Sequence, residues 1–308
     1  MSKILAIDVG NTNTKWGWFI NGELLRSQKT RTADVATVAG AMIDSAGWHS
    51  RSFAVAISSV VPAATSAISA ACRSRQIGIV EVTPTSQSVF PDMHPEMGAD
   101  RIADVVAAWL LHGRNERPVI VIGLGTASTM LAVDRHKNIV GGFIAPGVNL
   151  LFDVLHQRCA LLPKFDLSTA VADLGNTTES QIANGVLLSA IGTLRTWIDT
   201  GKAALASAST GARSSRAKPI VIGTGGLSEV LSRFDPTLFD VVDPDLTLKG
   251  TRLVGEALLA KGKTARRSGA GTAARRAGGR KPVRGGSGKA VTGTGALPKK
   301  IKTRLRLS

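Results

Sequence analysis

Ten residues near the N-terminus, Asp8-Val9-Gly10-Asn11-Thr12-Asn13-Thr14-Lys15-Trp16-Gly17, constrain the fold more than any other stretch of the chain. They follow directly on the apolar run Ile4 to Ile7, which reads as a buried strand. Beyond the turn, Lys15 to Phe19 resumes as a second strand, and Asn21-Gly22 is a strong hairpin signal. The pattern is strand, acidic glycine-bearing turn, strand. A Walker loop differs, because its glycines open a helix and Gly-Lys-Ser/Thr follows. Asp8 ends its strand on a sheet rim, where a carboxylate can hold Mg²⁺ through water. Gly10 lacks the Cβ that would keep a phosphate off the backbone, and Asn11 and Thr12 offer donors. An ordinary structural β-turn would use the same residues.

The rest of residues 1–115 continues the alternation as β-β-β-α-β-α-β followed by a helix. Strands are predicted near 3–9, 15–20, 23–28, 53–58 and 77–82, and helices near 33–47, 62–75 and 98–112. Segment 83–97, with Pro84, Pro91 and Pro95, is a loop long enough to be functional. Residues 116–260 open in the same way. Pro118 to Ile122 is an apolar strand, Gly123 to Thr129 is its glycine-rich turn, and Met130–Val133 and Ile139–Ile144 are further strands. Helices near 147–158 and 179–202 follow, then a strand at 219–223, a helix opened by Gly225-Gly226, a strand at 239–242 and a last helix at 250–260. Two halves that each begin with three strands around a glycine turn point to an architectural duplication. Facing each other, the two turns would line one cleft suited to a nucleoside triphosphate. The cluster Gly223 to Gly226 would admit a flat base or ribose, although a helix start alone uses glycine there.

The net charge of +16 is local. Residues 261–308 hold seven lysines and eight arginines and no acid, which leaves 23 basic against 22 acidic residues in 1–260. This tail, rich in Gly, Ala, Thr and Ser, has little to bury and is expected to be disordered. Its spaced dibasic clusters could neutralise phosphates without reading bases, so nucleic acid is one partner for it and plain solvation the other reading. No apolar run approaches the roughly 20 residues that span a bilayer. Cys72 and Cys159 make no disulfide framework and are expected to be small buried thiols of a cytoplasmic protein. The five histidines have no ligand spacing. Trp16 and Trp18 are read as one core and one surface or dimer contact, and Asp104, one turn after Asp100, as a solvated acid.

Taken in order, the motifs resemble the type III pantothenate kinases of the acetate and sugar kinase and actin superfamily, over residues 3 to 258. Asp8 to Gly17 is similar to the first phosphate motif and Ser58-Ser59-Val60-Val61-Pro62 to the next signature. Gly98-Ala99-Asp100-Arg101 is similar to the substrate motif, and Gly125-Thr126-Ala127 with Thr129 to the second phosphate motif. Gly141-Gly142 with Pro146-Gly147, Ala160 to Pro163, Asn176-Thr177 with Glu179-Ser180 and Gly185, and Thr224 to Leu227 complete the series. The resemblance implies a duplicated ribonuclease H-like, or actin-like ATPase, α/β fold with a central cleft. It also implies ATP-dependent phosphorylation of pantothenate, the first step toward coenzyme A, by a homodimer whose substrate pocket is completed across the interface.

Site roles follow from the same resemblance. Asp100 is the general base. ATP and its phosphates meet Asp8, Val9, Gly10, Asn11, Thr12, Asn13, Thr14, Lys15 and Thr126, and Asp8 holds Mg²⁺ through water. Pantothenate is bound by Gly98, Ala99, Asp100, Arg101 and Thr177. Three departures stand out. The aspartate that helps bind a monovalent cation, K⁺ or NH₄⁺, is replaced by Gly123, and a second aspartate by Leu131. The chain also has no tyrosine for the substrate loop, which is one residue shorter near Phe90 to Met97. The expectation is an active kinase with altered or absent monovalent-cation dependence. The rival reading is a degenerate kinase fold acting as a regulator or binding protein, with a tail that could reach nucleic acid.

Overall fold

Each half of the chain builds one five-stranded sheet, and the two sheets repeat a single topology. The computed structural model describes residues 2–49, 52–208 and 217–277, with side chains through Lys261. The first sheet contains β1 (Lys3–Val9), β2 (Asn13–Ile20), β3 (Glu23–Arg31), β4 (Ala54–Ser59) and β5 (Gly78–Glu81), in the order β3-β2-β1-β4-β5. β1, β2 and β3 run antiparallel in turn, and β4 and β5 lie parallel to β1 and β4. The second contains β6 (Val119–Leu124), β7 (Ala127–Val133), β8 (Ile139–Pro146), β9 (Ile220–Thr224) and β10 (Val241–Val242), in the order β8-β7-β6-β9-β10. This is the duplicated actin-like architecture that the motifs imply. Both sheets belong to one compact unit, Met1–Thr264.

The central strands read as unbroken apolar runs because both of their faces are covered. Leu5, Ile7 and Val9 of β1 pack with α1 (Val35–Asp44) and α2 (Pro62–Ser74). Ile4 and Ala6 point the other way, into a second layer with Phe19 and Leu248. In the second sheet Ile120, Ile122 and Val221 face α4 (Val148–Arg158), α5 (Thr178–Ala208) and α6 (Ser228–Phe234). Val119, Val121 and Ile222 face α3 (Ala99–Ala107) and the start of α7 (Leu246–Ala277).

α7 links the two halves. Leu246 and Val254 join the core under the second sheet, while Leu248 joins the core under the first. Gly250 makes the approach possible, since a Cβ there would collide with the Ala103 carbonyl of α3. α3 is thereby pinned with its N-terminus, the Gly98–Arg101 motif, beside the first sheet: Gly98 lies against Val60, and Val60 N–H donates to Val9 O at 3.1 Å.

Three expectations change. α7 runs to Ala277 rather than stopping near 260, because the Ala, Lys and Arg that make the tail look unstructured are also strong helix formers. The remaining tail, 278–308, lies outside the described residues. Trp16 and Trp18 are both buried and meet edge to face at 6.3 Å, since residues two apart on a strand share a face. Cys72 is buried as expected and its thiol is pushed up to about 11 by desolvation, but Cys159 is exposed at the end of α4.

Candidate active site

The two glycine turns meet. Thr12, at the tip of the first, and Thr126, at the tip of the second, bring their hydroxyl oxygens to 2.8 Å. Asn11, Thr12 and Asn13, and Gly125, Thr126 and Ala127, are all exposed, so both tips face outward. Each tip is braced from behind. Gly10 N–H donates to Asn13 O at 3.0 Å, while Thr32 donates from its amide to Thr12 O at 2.9 Å and from its hydroxyl to Gly10 O at 2.6 Å. Thr32 carries no motif signal, and its role emerges only from the β3 register. In the second turn Gly125 N–H donates to Ala127 O at 3.2 Å and Gly147 N–H to Thr126 O at 2.9 Å.

Asp8 closes β1 beneath the first turn, in register with Lys15 on β2 and Ser58 on β4. Its Oδ1 is buried and has no hydrogen-bond partner among the described residues, and neither has the buried Ser58 hydroxyl. Burial first, and the charge of Asp100 second, raise its carboxyl to about 7, against the opposing pulls of Ser58 and Lys15. An orphaned carboxylate oxygen at a strand end fits a hydrated cation. Asp100 lies in the first turn of α3, where the helix dipole favours an anion. Its Oδ1 accepts from Arg101 N–H at 2.8 Å. The Arg101 guanidinium forms no ion pair or hydrogen bond within the described residues, so it is free to take a carboxylate.

The same geometry sets limits on the expected site. Val9 is in the core, and the buried Thr14 hydroxyl is spent on Thr32 at 3.0 Å. Lys15 Nζ is committed to Asp245 Oδ1 at 2.7 Å and to Pro244 O at 3.1 Å, tying the first sheet to the segment before α7. Thr177 is exposed before α5 with its hydroxyl 2.9 Å from that of Ser180, and no hydrogen bond among the described residues joins it to Asp8, Asp100 or Arg101. Leu131 is buried under α3. Asp104, expected in solvent, is buried instead. Thr247 of α7, distant in sequence, covers it and donates to Oδ1 at 2.6 Å. Burial chiefly, with the charges of Asp100, Asp8 and Asp243 adding and the Thr247 bond opposing, pushes its carboxyl well above the ordinary range. Among the described residues no three His, Cys, Asp or Glu side chains converge to hold one metal ion.

Asp243, between β10 and α7, ties His112 to Lys249 of α7. Burial alone would raise its carboxyl, but bonds from His112 Nε2 at 3.1 Å and Lys249 Nζ at 2.8 Å hold it down at about 2. A carboxyl lowered by folding stabilises above its unfolded value near 3.8, and the benefit is lost as pH falls through about 2. Asp243→Asn is therefore expected to cost about 2 kcal/mol at neutral pH. Denaturant titrations of both proteins should show that gap closing between pH 4 and pH 2.

Comparison with known proteins identifies the family. The family model for type III pantothenate kinase matches residues 4–200. A protein named type III pantothenate kinase from Geobacillus kaustophilus is 32% identical over 264 residues, covering 82% of this chain and 97% of its own length. Its namesake from another Geobacillus species is 31% identical with the same coverage. Among solved structures, a chain described as a Baf family transcriptional activator from Campylobacter jejuni superimposes with a TM-score of 0.52 at 16% identity. That match covers 82% of this chain and 98% of the other, a likeness of fold. None of the described helices is long and apolar enough to cross a membrane. On the extent of the family match and of the curated relatives, the chain belongs to the type III pantothenate kinase family.

Proposed function

We propose that the protein transfers the γ-phosphoryl group of ATP to the primary hydroxyl of pantothenate, giving 4′-phosphopantothenate and ADP. The observation that carries this reading is the junction of the two turns at Thr12 and Thr126, with Asp100 near enough to raise the carboxyl of Asp8. Gly10, with no Cβ to hold a phosphate off the backbone, and the donors of Asn11 to Asn13 and of Thr126 would cradle the phosphates, and Arg101 would anchor the acceptor's carboxylate. Asp100 would orient the acceptor hydroxyl and take its proton as that oxygen bonds to phosphorus. The bond from phosphorus to the β,γ-bridging oxygen breaks, and ADP leaves. The protein contributes mainly placement and charge neutralisation, as this chemistry asks. Asp8 would hold Mg²⁺ through water, and that ion neutralises phosphate charge when bound.

The reading extends to assembly. Residues 1–115 and 116–260 would act as the two walls of the cleft, in a cytoplasmic homodimer. Ile144, 62% exposed on β8, and the exposed Leu188 on α5 supply apolar surface near the helix that Thr177 precedes. Thr177 would then serve the partner's pocket. Light scattering should give twice the 32.1 kDa chain mass. Basic residues beyond Ala260 would add salt-sensitive retention on heparin, and truncation there should remove it. The test of the activity itself is ADP release that requires pantothenate as well as ATP and Mg²⁺. Release indifferent to pantothenate would exclude this acceptor.

A further inference from the structure

The two turns are held by residues at the same place in each sheet. Register pairs Asn13 with Arg31, the last residue of β3, and Ala127 with Pro146, the last residue of β8. One step further on, the residue after the outer strand donates its amide to the carbonyl of the tip threonine: Thr32 to Thr12 at 2.9 Å, and Gly147 to Thr126 at 2.9 Å. The halves differ in the side chain at that place. A Cβ on Gly147 would collide with the Gly125 and Thr126 carbonyls, so it braces the second turn through backbone alone. In the first turn the residue is a threonine, and it is 8% exposed.

The Thr32 hydroxyl has one proton, and the 2.6 Å bond to Gly10 O uses it. The buried Thr14 hydroxyl, 3.0 Å away, is therefore the donor of that pair. The result is a directed chain, Thr14 to Thr32 to Gly10, in which the first bond strengthens the second. Together the amide and the hydroxyl of Thr32 draw two carbonyls, Thr12 and Gly10, to one side. In a trans peptide the C=O and N–H point opposite ways, so the N–H groups of Asn13 and Asn11 are turned away from Thr32. Glycine accepts either orientation of the peptide that follows it, and the Thr32 hydroxyl holds the one after Gly10 in place.

We propose that Thr32 is a positioning residue for the nucleotide: its hydroxyl sets the Gly10–Asn11 peptide so that the amide of Asn11, together with that of Asn13, meets the phosphates of ATP. Thr14, expected to touch phosphate itself, acts one link further back, through Thr32. The inference rests on the kinase reading for what the turn binds, while the chain of bonds stands without it. Loss of the hydroxyl is felt by the nucleotide and not by the acceptor. The Gly98–Arg101 motif sits at the start of α3 and shares no hydrogen bond with Thr32 among the described residues.

The test is calorimetric titration of the intact protein with a non-hydrolysable ATP analogue and Mg²⁺, followed by steady-state kinetics with pantothenate. Thr32→Val, of nearly the same shape but without the hydroxyl, should weaken analogue binding about tenfold and raise KM for ATP to match. KM for pantothenate should stay within about twofold of wild type, and Thr32→Ser, which restores the hydroxyl, should bind the analogue within about threefold. A Thr32→Val protein that melts lower yet binds the analogue as wild type does overturns the proposal, because the residue is then only structural. So does Thr32→Ser binding as weakly as Thr32→Val, or a KM for pantothenate that rises in step with that for ATP. Should Thr32→Val not fold, Thr14→Val is expected to weaken binding several-fold, and unchanged binding there overturns the proposal equally. Weakened analogue binding by Thr32→Val, where wild type makes no 4′-phosphopantothenate, would uphold Thr32 and sink the assigned acceptor. Product formation with equal analogue affinity in both proteins would do the reverse.

Discussion

Asp100→Asn is expected to lower the turnover of pantothenate about a thousandfold, the range for losing a positioned general base. The fold should be untouched. The amide oxygen of Asn can still accept from Arg101 N–H as Asp100 Oδ1 does at 2.8 Å, and no salt bridge is lost. What disappears is the carboxylate that receives the acceptor's proton. Removing its charge also relieves Asp8, whose carboxyl is raised in part by Asp100, so stability at neutral pH should hold or increase slightly. ATP affinity, set by the two turns, should change little. Steady-state kinetics beside a melting curve separates these outcomes, and a variant with near-normal turnover would remove Asp100 from the reaction.

Asp8→Asn should be the second large effect, with opposite signs for activity and stability. The folded-state carboxyl, near 7, lies above its ordinary value of 3.8, so folding binds a proton more tightly than the unfolded chain does. Stability from this group is therefore highest below about pH 4, declines as pH rises, and levels off beyond about 7. The full penalty is on the order of 4 kcal/mol. Asn carries no charge and escapes it. The variant should be the more stable protein at pH 8 and have little advantage at pH 4. Its turnover should fall about a hundredfold through loss of the cation-holding carboxylate. Added Mg²⁺ should stabilise wild type at pH 8 and leave the variant unmoved. A wild-type stability profile parallel to that of the variant from pH 4 to pH 8 would contradict the assignment of Asp8.

Some of this was written in the chain and some was not. The strand-turn-strand openings at Asp8 and Gly123 are legible because central strands buried on both faces appear as apolar runs, and glycine marks the turn between them. The doubled sheet order follows from those openings. Asp100 is legible only by its motif, since an acid in a first helical turn has an ordinary role of its own. Asp104 misleads because its cover, Thr247, is separated from it by 143 positions and belongs to a helix whose course no local signal predicts. Thr32 is invisible for the same reason, its clamp on Gly10 and Thr12 depending on how β3 returns alongside β2. At Gly123 the sequence shows only that a side chain is absent, while the fold explains why none fits: a Cβ there would stand 2.7 Å from Thr129 Oγ1.

The most direct test is a crystal structure of the protein with a non-hydrolysable ATP analogue, Mg²⁺ and pantothenate bound together. The terminal phosphate is expected in contact with both the Thr12 and Thr126 hydroxyls, with the primary hydroxyl of pantothenate within hydrogen-bond reach of Asp100. Phosphates bound away from the paired turns, or a hydroxyl turned from Asp100, would contradict the account.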